Sequence, residues 1–283
     1  MNYALIGGNT NWSKILIKNF YYHKYKLKYT SSRYIKKKNN FINYKKIPLD
    51  EIDFVVLSSD AKRNIKSAKY FTHMQVPIFI EKPISFSYRS FKNFKKYTKS
   101  NAIYFCDYLH IYSDPIKFIK KKLKKENIKK IKLIFGKKGR ERNINSSYEW
   151  LPHPLSILFY LTNKNYSEAT IKYNNFQTKK KTNLEIFFKN KKFEAYICSG
   201  NNFNSTKYIV NIKTEKNDYL YDGTYPTKLK INRKSYFFKY KPLFNSILVF
   251  SKIIKDSKDK KILSKQNKKI TEYIMNFLHK KKL

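Results

Sequence analysis

What most restricts the fold of this chain is a pattern repeated along residues 1–107. Short apolar runs rich in β-branched and aromatic residues alternate with segments at helical spacing. They recur about once every 25 residues, as successive βα units do. The runs are Tyr3-Ala4-Leu5-Ile6, the alternating Tyr25 to Thr30, Asp53-Phe54-Val55-Val56-Leu57, Val76 to Ile80 and Ala102 to Phe105. Between them, Ile15 to Tyr22, Asn64 to Thr72 and Ser87 to Thr98 carry apolar residues on one helical face. The expected fold is α/β, a Rossmann-like parallel sheet with right-handed crossovers. An open sheet of this kind binds ligands at the carboxyl ends of its strands.

Those ends supply the candidates. The first turn reads Gly7-Gly8-Asn9-Thr10-Asn11-Trp12, between a strand and a helix. Loop amides and a helix N-terminus there suit a dinucleotide's pyrophosphate. The G-x-G-x-x-G pattern is degraded: counting from Gly7, Asn9 takes the second glycine position and Trp12 the third. Asparagine tolerates positive φ, whereas Trp12 cannot give the close helix–strand contact of a glycine. A plain βα turn fits these residues equally well. Ser31-Ser32-Arg33 close the second strand, where an acid would bind the 2′-hydroxyl of NAD. Ser32 and Arg33 suit a 2′-phosphate and tilt the cofactor expectation toward NADP over NAD, with an ordinary basic loop as the alternative. Ser58 and Asp60 close the third strand and join the cofactor-side candidates.

The run Ile78-Phe79-Ile80 stops at Glu81-Lys82-Pro83. Proline cannot continue a strand, so an acid and an amine are left at the ligand-binding edge. A lysine beside a carboxylate can act on a substrate or in proton transfer there. Taken alone, the stretch reads first as a surface strand end with a chance Glu-Lys pair.

Beyond residue 107 the pattern changes. Pro115 to Lys125 reads as a helix, Ile131 to Phe135 as a strand and Gly136 to Ser147 as a polar loop. Tyr148 to Leu161 then holds a buried helix with His153 at its start. A histidine so placed reads first as a cap or packing residue. From Ala169, short alternating strands with polar turns predict an open antiparallel sheet. Helices over Pro242 to Lys255 and Lys265 to His279 close the chain. The expected domains are 1–107, dinucleotide-binding, and 108–283, an α+β domain. In the second, Pro115 to Lys125 and the C-terminal helices pack around the sheet.

Composition matters at one point. The net charge of +43 raises nucleic-acid binding as a function. Yet the lysines are spread along the whole chain, and the dominant residues have A/T-rich codons, which favours compositional drift. No specific nucleic-acid partner is expected, only salt-sensitive attraction to polyanions. Two cysteines, Cys106 and Cys198, make neither a disulfide framework nor a zinc site. No metal is expected, and a reducing cytoplasm is the simplest compartment. No apolar run approaches a membrane span, and a strand begins too near Met1 to leave room for a cleaved leader. No membrane partner is expected.

With these residues in view, the chain resembles the Gfo/Idh/MocA oxidoreductases, the glucose-fructose oxidoreductase and inositol dehydrogenase family. The resemblance is strongest over Ile52 to Ser85: an apolar strand ending in a small polar pair, a helix, a strand, then Glu-Lys-Pro. It implies that Lys82 meets substrate and nicotinamide, that Glu81 lies beside the nicotinamide ribose, and that the Lys82–Pro83 bond is cis and aims the lysine. It also implies that Glu149-x-x-x-His153 stands for the family's Asp-x-x-x-His, with His153 in proton transfer and Glu149 positioning it. Substrate-side candidates are Lys82, Tyr108, Tyr112 and Trp150. The chain departs from the family at Asn64, usually His, at Tyr112, near an expected Arg, and at Ser156, commonly Asp. The implied function is NAD(P)-dependent hydride transfer at a hydroxyl or ketone carbon of a sugar, cyclitol or sugar nucleotide. Homo-oligomer contacts through the second sheet are implied as well. The alternatives are a non-catalytic relative with a degraded cofactor site and, behind it, a basic nucleic-acid-binding protein.

Overall fold

The apolar runs of the first 107 residues pair into one five-stranded parallel sheet: β1 (Asn2–Ile6), β2 (Lys26–Ser31), β3 (Phe54–Leu57), β4 (Ile78–Glu81) and β5 (Tyr104–Asp107). The computed structural model describes residues 1–33, 38–98, 101–138, 146–163, 170–178, 181–189, 193–255, 258–281 and 283. Strand order is β2-β1-β3-β4-β5, so the winding reverses between β1 and β3. α1 (Asn11–Tyr22), α2 (Ala61–His73) and α3 (Tyr88–Tyr97) make the crossovers. Each starts on a side chain that accepts a backbone N–H from the first turn: Thr10 from Ser13, Asp60 from Arg63 and Ser87 from Ser90. β3 is buried at every residue, as a strand covered on both faces must be. One face stacks Tyr3 on Phe54 and Phe79 on Phe105, with Phe20 of α1 set edge-on to Phe79.

Residues 1–107 with 246–275 form one compact unit, and 108–245 with 276–283 a second. The second contains α4 (Asp114–Lys122), β6 (Ile128–Lys138), α5 (Ser146–Trp150) and α6 (Pro152–Thr162), then β7 (Thr170–Thr178), β8 (Lys181–Lys189), β9 (Glu194–Gly200), β10 (Asn202–Thr214), β11 (Asp218–Asp222), β12 (Lys228–Ile231) and β13 (Lys234–Phe237). Its eight strands run β13-β12-β11-β10-β6-β9-β8-β7. The expected antiparallel sheet is altered at one pair, because β6 and β9 are parallel, with Leu133 opposite Ile197. The helical crossover through α5 and α6 makes this possible, since it returns the chain to the far side of β6. β6 also runs through Gly136 to Lys138, where a polar loop is expected. A Cβ on Gly136 would sit 2.2 Å from the Gly200 carbonyl oxygen, so close strand packing requires the glycine. Residues 139–145 of that expected loop lie outside the described residues. β13 has no sequence signal because all four of its residues are exposed.

The last two helices are α7 (Pro242–Ile254) and α8 (Lys260–Lys280). The expectation that both pack around the second sheet is corrected for residues 246–275. Phe250 packs on Phe54, Phe79 and Phe105, with ring centroids 5.3, 5.4 and 5.7 Å away. Asn267 is fully buried, accepts from Cys106 N at 2.9 Å and donates to Cys106 O at 2.8 Å. β5 is an edge strand, and this one side chain satisfies backbone groups that no further strand reaches. Asn267→Leu is expected to cost about 2–4 kcal/mol, because two buried backbone groups lose their partners. Urea unfolding with an unchanged slope reads this, and a loss under about 0.5 kcal/mol would mean the edge is satisfied in another way. Among the described residues, no helix is long and apolar enough to cross a membrane.

Candidate active site

In the first unit the carboxyl ends of β1 and β3 meet where the strand order reverses, the usual ligand crevice of such sheets. Gly7 and Gly8 adopt φ of +116° and +96°. Gly7 N donates to Ser31 O, and Ser58 N to Ile6 O, both at 2.9 Å. A Cβ on Gly7 would lie 2.6 Å from Ser58 O, so only glycine fits. Asn9 and Asn11 are exposed beside this turn. The contact that Trp12 cannot supply comes from Ser13, buried one position later, whose Oγ is 3.0 Å from Ser58 Oγ. A small residue on the buried face Ser13-Leu16-Phe20 was the available signal for it. The bare cradle at Gly7 and Gly8, ahead of the α1 N-terminus, fits a pyrophosphate.

Trp12 turns instead to the strand end that carries Glu81. Its indole Nε1–H donates to Glu81 Oε2 at 2.8 Å. The Lys82–Pro83 peptide is cis. Glu81 lies opposite Asp107 in the β4–β5 register, a second carboxyl that sequence reading missed. Asp107 is fully buried and accepts from Ser246 Oγ at 2.6 Å through Oδ1. Among the described residues, its Oδ2 has no hydrogen-bond partner. Burial, and then the charge of Glu81, push the Asp107 carboxyl well above its ordinary range, against the Ser246 bond and Lys82. An acid closing an otherwise apolar strand was the signal in the sequence.

Burial raises the Glu81 carboxyl to about 7, opposed by the charge of Lys82 and the Trp12 bond. The folded state therefore holds this proton more tightly than the unfolded chain. Its stabilising contribution is complete below about pH 4.5 and is lost as pH rises through about 7. Glu81→Gln is expected to reduce the fall in stability between pH 4.5 and 8 by about 1–3 kcal/mol relative to wild type. Parallel denaturation series at the two pH values check this. Because Asp107 contributes with the same sign, the wild-type-minus-variant difference is the quantity to read, and equal pH slopes would refute the expectation.

Ser32 is buried, its N–H donating to Asn40 Oδ1 at 3.0 Å and its C=O accepting from Asn40 Nδ2 at 2.8 Å, while Arg33 is exposed. The guanidinium at the end of β2 belongs to Arg63, whose Nη2 donates to Ser31 Oγ at 3.0 Å. Asp60 is an exposed cap of α2. Asn64, where the family pattern has His, is buried and accepts from Ser59 N and Oγ at 3.1 and 2.8 Å.

In the second unit, His153 is the second residue of α6, a helix buried on most of its surface. Its ring is 6.2 Å from Trp150 and 6.1 Å from Phe135, centroid to centroid. Glu149 is half-buried on α5, and Tyr108, Tyr112 and Trp150 are buried. A residue missed from the sequence, His110, stands against His153, with ring centroids 5.1 Å apart and planes at 83°. It lies on a 3-10 turn, Leu109–Tyr112. Nothing in its local pattern separates it from a packing residue. Among the described residues, no cluster of His, Cys, Asp or Glu could hold a metal ion.

No protein-family model matches the sequence, and no curated protein matches it. Solved structures do. An inositol dehydrogenase homologue from Azotobacter vinelandii, complexed with NADH and myo-inositol, superposes with TM-score 0.83 at 8% identity, over 99% of this chain and 94% of its own. A Gfo/Idh/MocA family oxidoreductase from Vibrio cholerae does so with TM-score 0.77 at 14% identity, over 100% and 97%. The chain has the Gfo/Idh/MocA fold. A UDP-N-acetylglucosamine 3-dehydrogenase from Acidithiobacillus ferrooxidans matches with TM-score 0.76 at 13% identity, over 98% and 99%. The Gfo/Idh/MocA likeness read from Ile52 to Ser85 thus extends, as a likeness of fold, along the whole chain.

Proposed function

We propose that this protein is an NAD(P)-dependent oxidoreductase that transfers a hydride at a hydroxyl or ketone carbon of a sugar, cyclitol or sugar nucleotide. The observation that carries this reading is the Trp12–Glu81 hydrogen bond of 2.8 Å. It joins the start of α1, behind the glycine turn, to the strand end that bears Lys82. Structures of the same fold solved with NADH and myo-inositol, or described as a UDP-sugar dehydrogenase, support the reaction class.

A bound nicotinamide supplies the hydride acceptor or donor. The amides of Gly7 and Gly8 and the α1 N-terminus hold the pyrophosphate, and Glu81 takes the nicotinamide ribose. The Lys82 ammonium lowers the energy of the alkoxide that develops on the substrate. His153 takes the hydroxyl proton as hydride leaves the same carbon, with Glu149 positioning it. Tyr108, Tyr112 and Trp150 shape the substrate side. In this reading NADP is preferred, with Arg63 rather than the exposed Arg33 meeting the 2′-phosphate.

The test is a titration of NADPH and NADH into purified protein, followed by nicotinamide fluorescence. High salt is the control, because a charge of +43 attracts any dinucleotide. A panel of cyclitols, sugars and sugar nucleotides follows, read by absorbance of the reduced cofactor. Saturable, salt-tolerant binding supports the proposal and ranks the cofactors. Binding that vanishes with salt favours a second reading, a relative of the fold without its cofactor, which Asn9 at the second glycine position makes worth testing.

A further inference from the structure

We infer that Asp107 is a positioning residue for Glu81: it stays a neutral acid and donates the proton on its Oδ2 to the Glu81 carboxylate. The inference rests on the proposed role of Glu81 at the nicotinamide ribose. A carboxylate there accepts the ribose hydroxyls in charge-assisted bonds, which a protonated Glu81 could not match.

The sheet brings the two carboxyls together. Glu81 ends β4, Asp107 ends β5, and the two are paired in parallel register. Residues so paired project to the same face. Phe79 and Phe105, paired two positions earlier, mark that face, with stacked rings 5.5 Å apart. α1 and α7 cover it, since Phe20 and Phe250 both pack on Phe79. Trp12 of α1 donates to Glu81 Oε2 at 2.8 Å, and Ser246 of α7 donates to Asp107 Oδ1 at 2.6 Å.

The surroundings of Asp107 do not provide for a charge. A fully buried carboxylate needs several donors or a cation beside it. Ser246 gives one neutral hydroxyl, and among the described residues Oδ2 has no hydrogen-bond partner. A proton on Oδ2 turns that acceptor into a donor, and the carboxyl next to it in register is that of Glu81. Glu81 is the better place for the negative charge. Burial raises both carboxyls, but the Lys82 charge opposes it most at Glu81 and is the weakest of the effects at Asp107. Asp60, at the end of β3, is an exposed cap already accepting from Arg63 N at 2.9 Å. A carboxylate has room for about four hydrogen bonds, so Glu81 can take Trp12, Asp107 and a ribose together.

The test follows the Glu81 carboxyl by NMR in the full-length protein carrying 13C-carboxyl glutamate, its signal assigned by Glu81→Gln. In the wild type its midpoint is expected at about 7. In Asp107→Asn, whose amide N–H replaces the acid O–H, the midpoint is expected to stay within about 0.5 units. In Asp107→Val, of similar shape but with no donor, it is expected to rise by roughly one unit or more. Asp107→Ala serves if the valine variant does not fold. A midpoint that falls in both the amide and the apolar variant would mean that Asp107 is ionised and repels Glu81. A midpoint that moves in neither would mean that the two carboxyls do not meet. Either result overturns the inference.

Nucleotide binding is read separately, at high salt and with NADH, because a phosphate monoester such as that of NADPH itself titrates at about pH 6. Wild-type affinity is expected to fall by roughly tenfold per pH unit below about pH 7, as Glu81 takes up its proton. Asp107→Asn should follow the wild-type curve, Asp107→Val should begin to lose affinity at higher pH, and Glu81→Gln should be flat. A flat wild-type curve removes Glu81 from the ribose, and the positioning role of Asp107 with it. The expected Glu81 midpoints in a protein that binds no nicotinamide nucleotide support the carboxyl pair and count against the dehydrogenase reading, so the two failures are distinguishable.

Discussion

Lys82→Met and His153→Ala are each expected to lower kcat by roughly 10²–10⁴-fold on whichever sugar, cyclitol or sugar nucleotide the protein turns over. Methionine preserves the length and apolar stem of Lys82 and removes only the charge. Under the proposed role, what is lost is stabilisation of the developing alkoxide, and with it transition-state rather than ground-state binding. Alanine at His153 removes the proposed proton acceptor, an imidazole in the first turn of α6. Affinity for the nicotinamide nucleotide should change by less than about threefold, because neither side chain is assigned to the pyrophosphate. The double variant should lose little more than either single one, as residues acting on one transition state do. Reduced-cofactor absorbance under saturating conditions measures this. A variant within about tenfold of wild type would remove that residue from the chemistry.

Gly7→Val is expected to abolish saturable nucleotide binding, by a hundredfold or more, and to destabilise the first unit by about 3–5 kcal/mol. Two effects combine. At φ of +116° any L side chain is strained, and its Cβ would meet Ser58 O at 2.6 Å. The neighbour is backbone, tied through Ser58 N to Ile6 O, so it cannot rotate away. Relief must come from moving β1 against β3, which opens the turn that presents the amides. Unfolding midpoints and the fluorescence titration read the two effects separately. Tight binding retained in a stable variant would show that the nucleotide does not use this turn.

The fold of the first unit was largely legible in the residues. Runs such as Phe54 to Leu57, apolar without alternation, admit only a doubly covered strand, and β3 is buried throughout. Glu81-Lys82-Pro83 stood at a strand end because proline stops a ladder, and β4 ends at Glu81. The second unit was legible as short strands. Its parallel β6–β9 pair was not, because alternation reports which face a residue takes and not which strand lies beside it. β13, exposed at every residue, carried no alternation to read.

The sequence by itself determined the order of the elements and the chemistry available at their ends, since both follow from local sterics and from the period of apolar burial. The tertiary structure alone decided which distant groups meet. Ser13 reaches Ser58, Trp12 reaches Glu81, Asp107 lies opposite Glu81, Asn267 closes the edge of β5, and His110 faces His153. These are long-range contacts set by packing rather than by local period. A buried carboxyl near Lys82 or a second imidazole against His153 becomes visible only once the sheet and helices have closed around it.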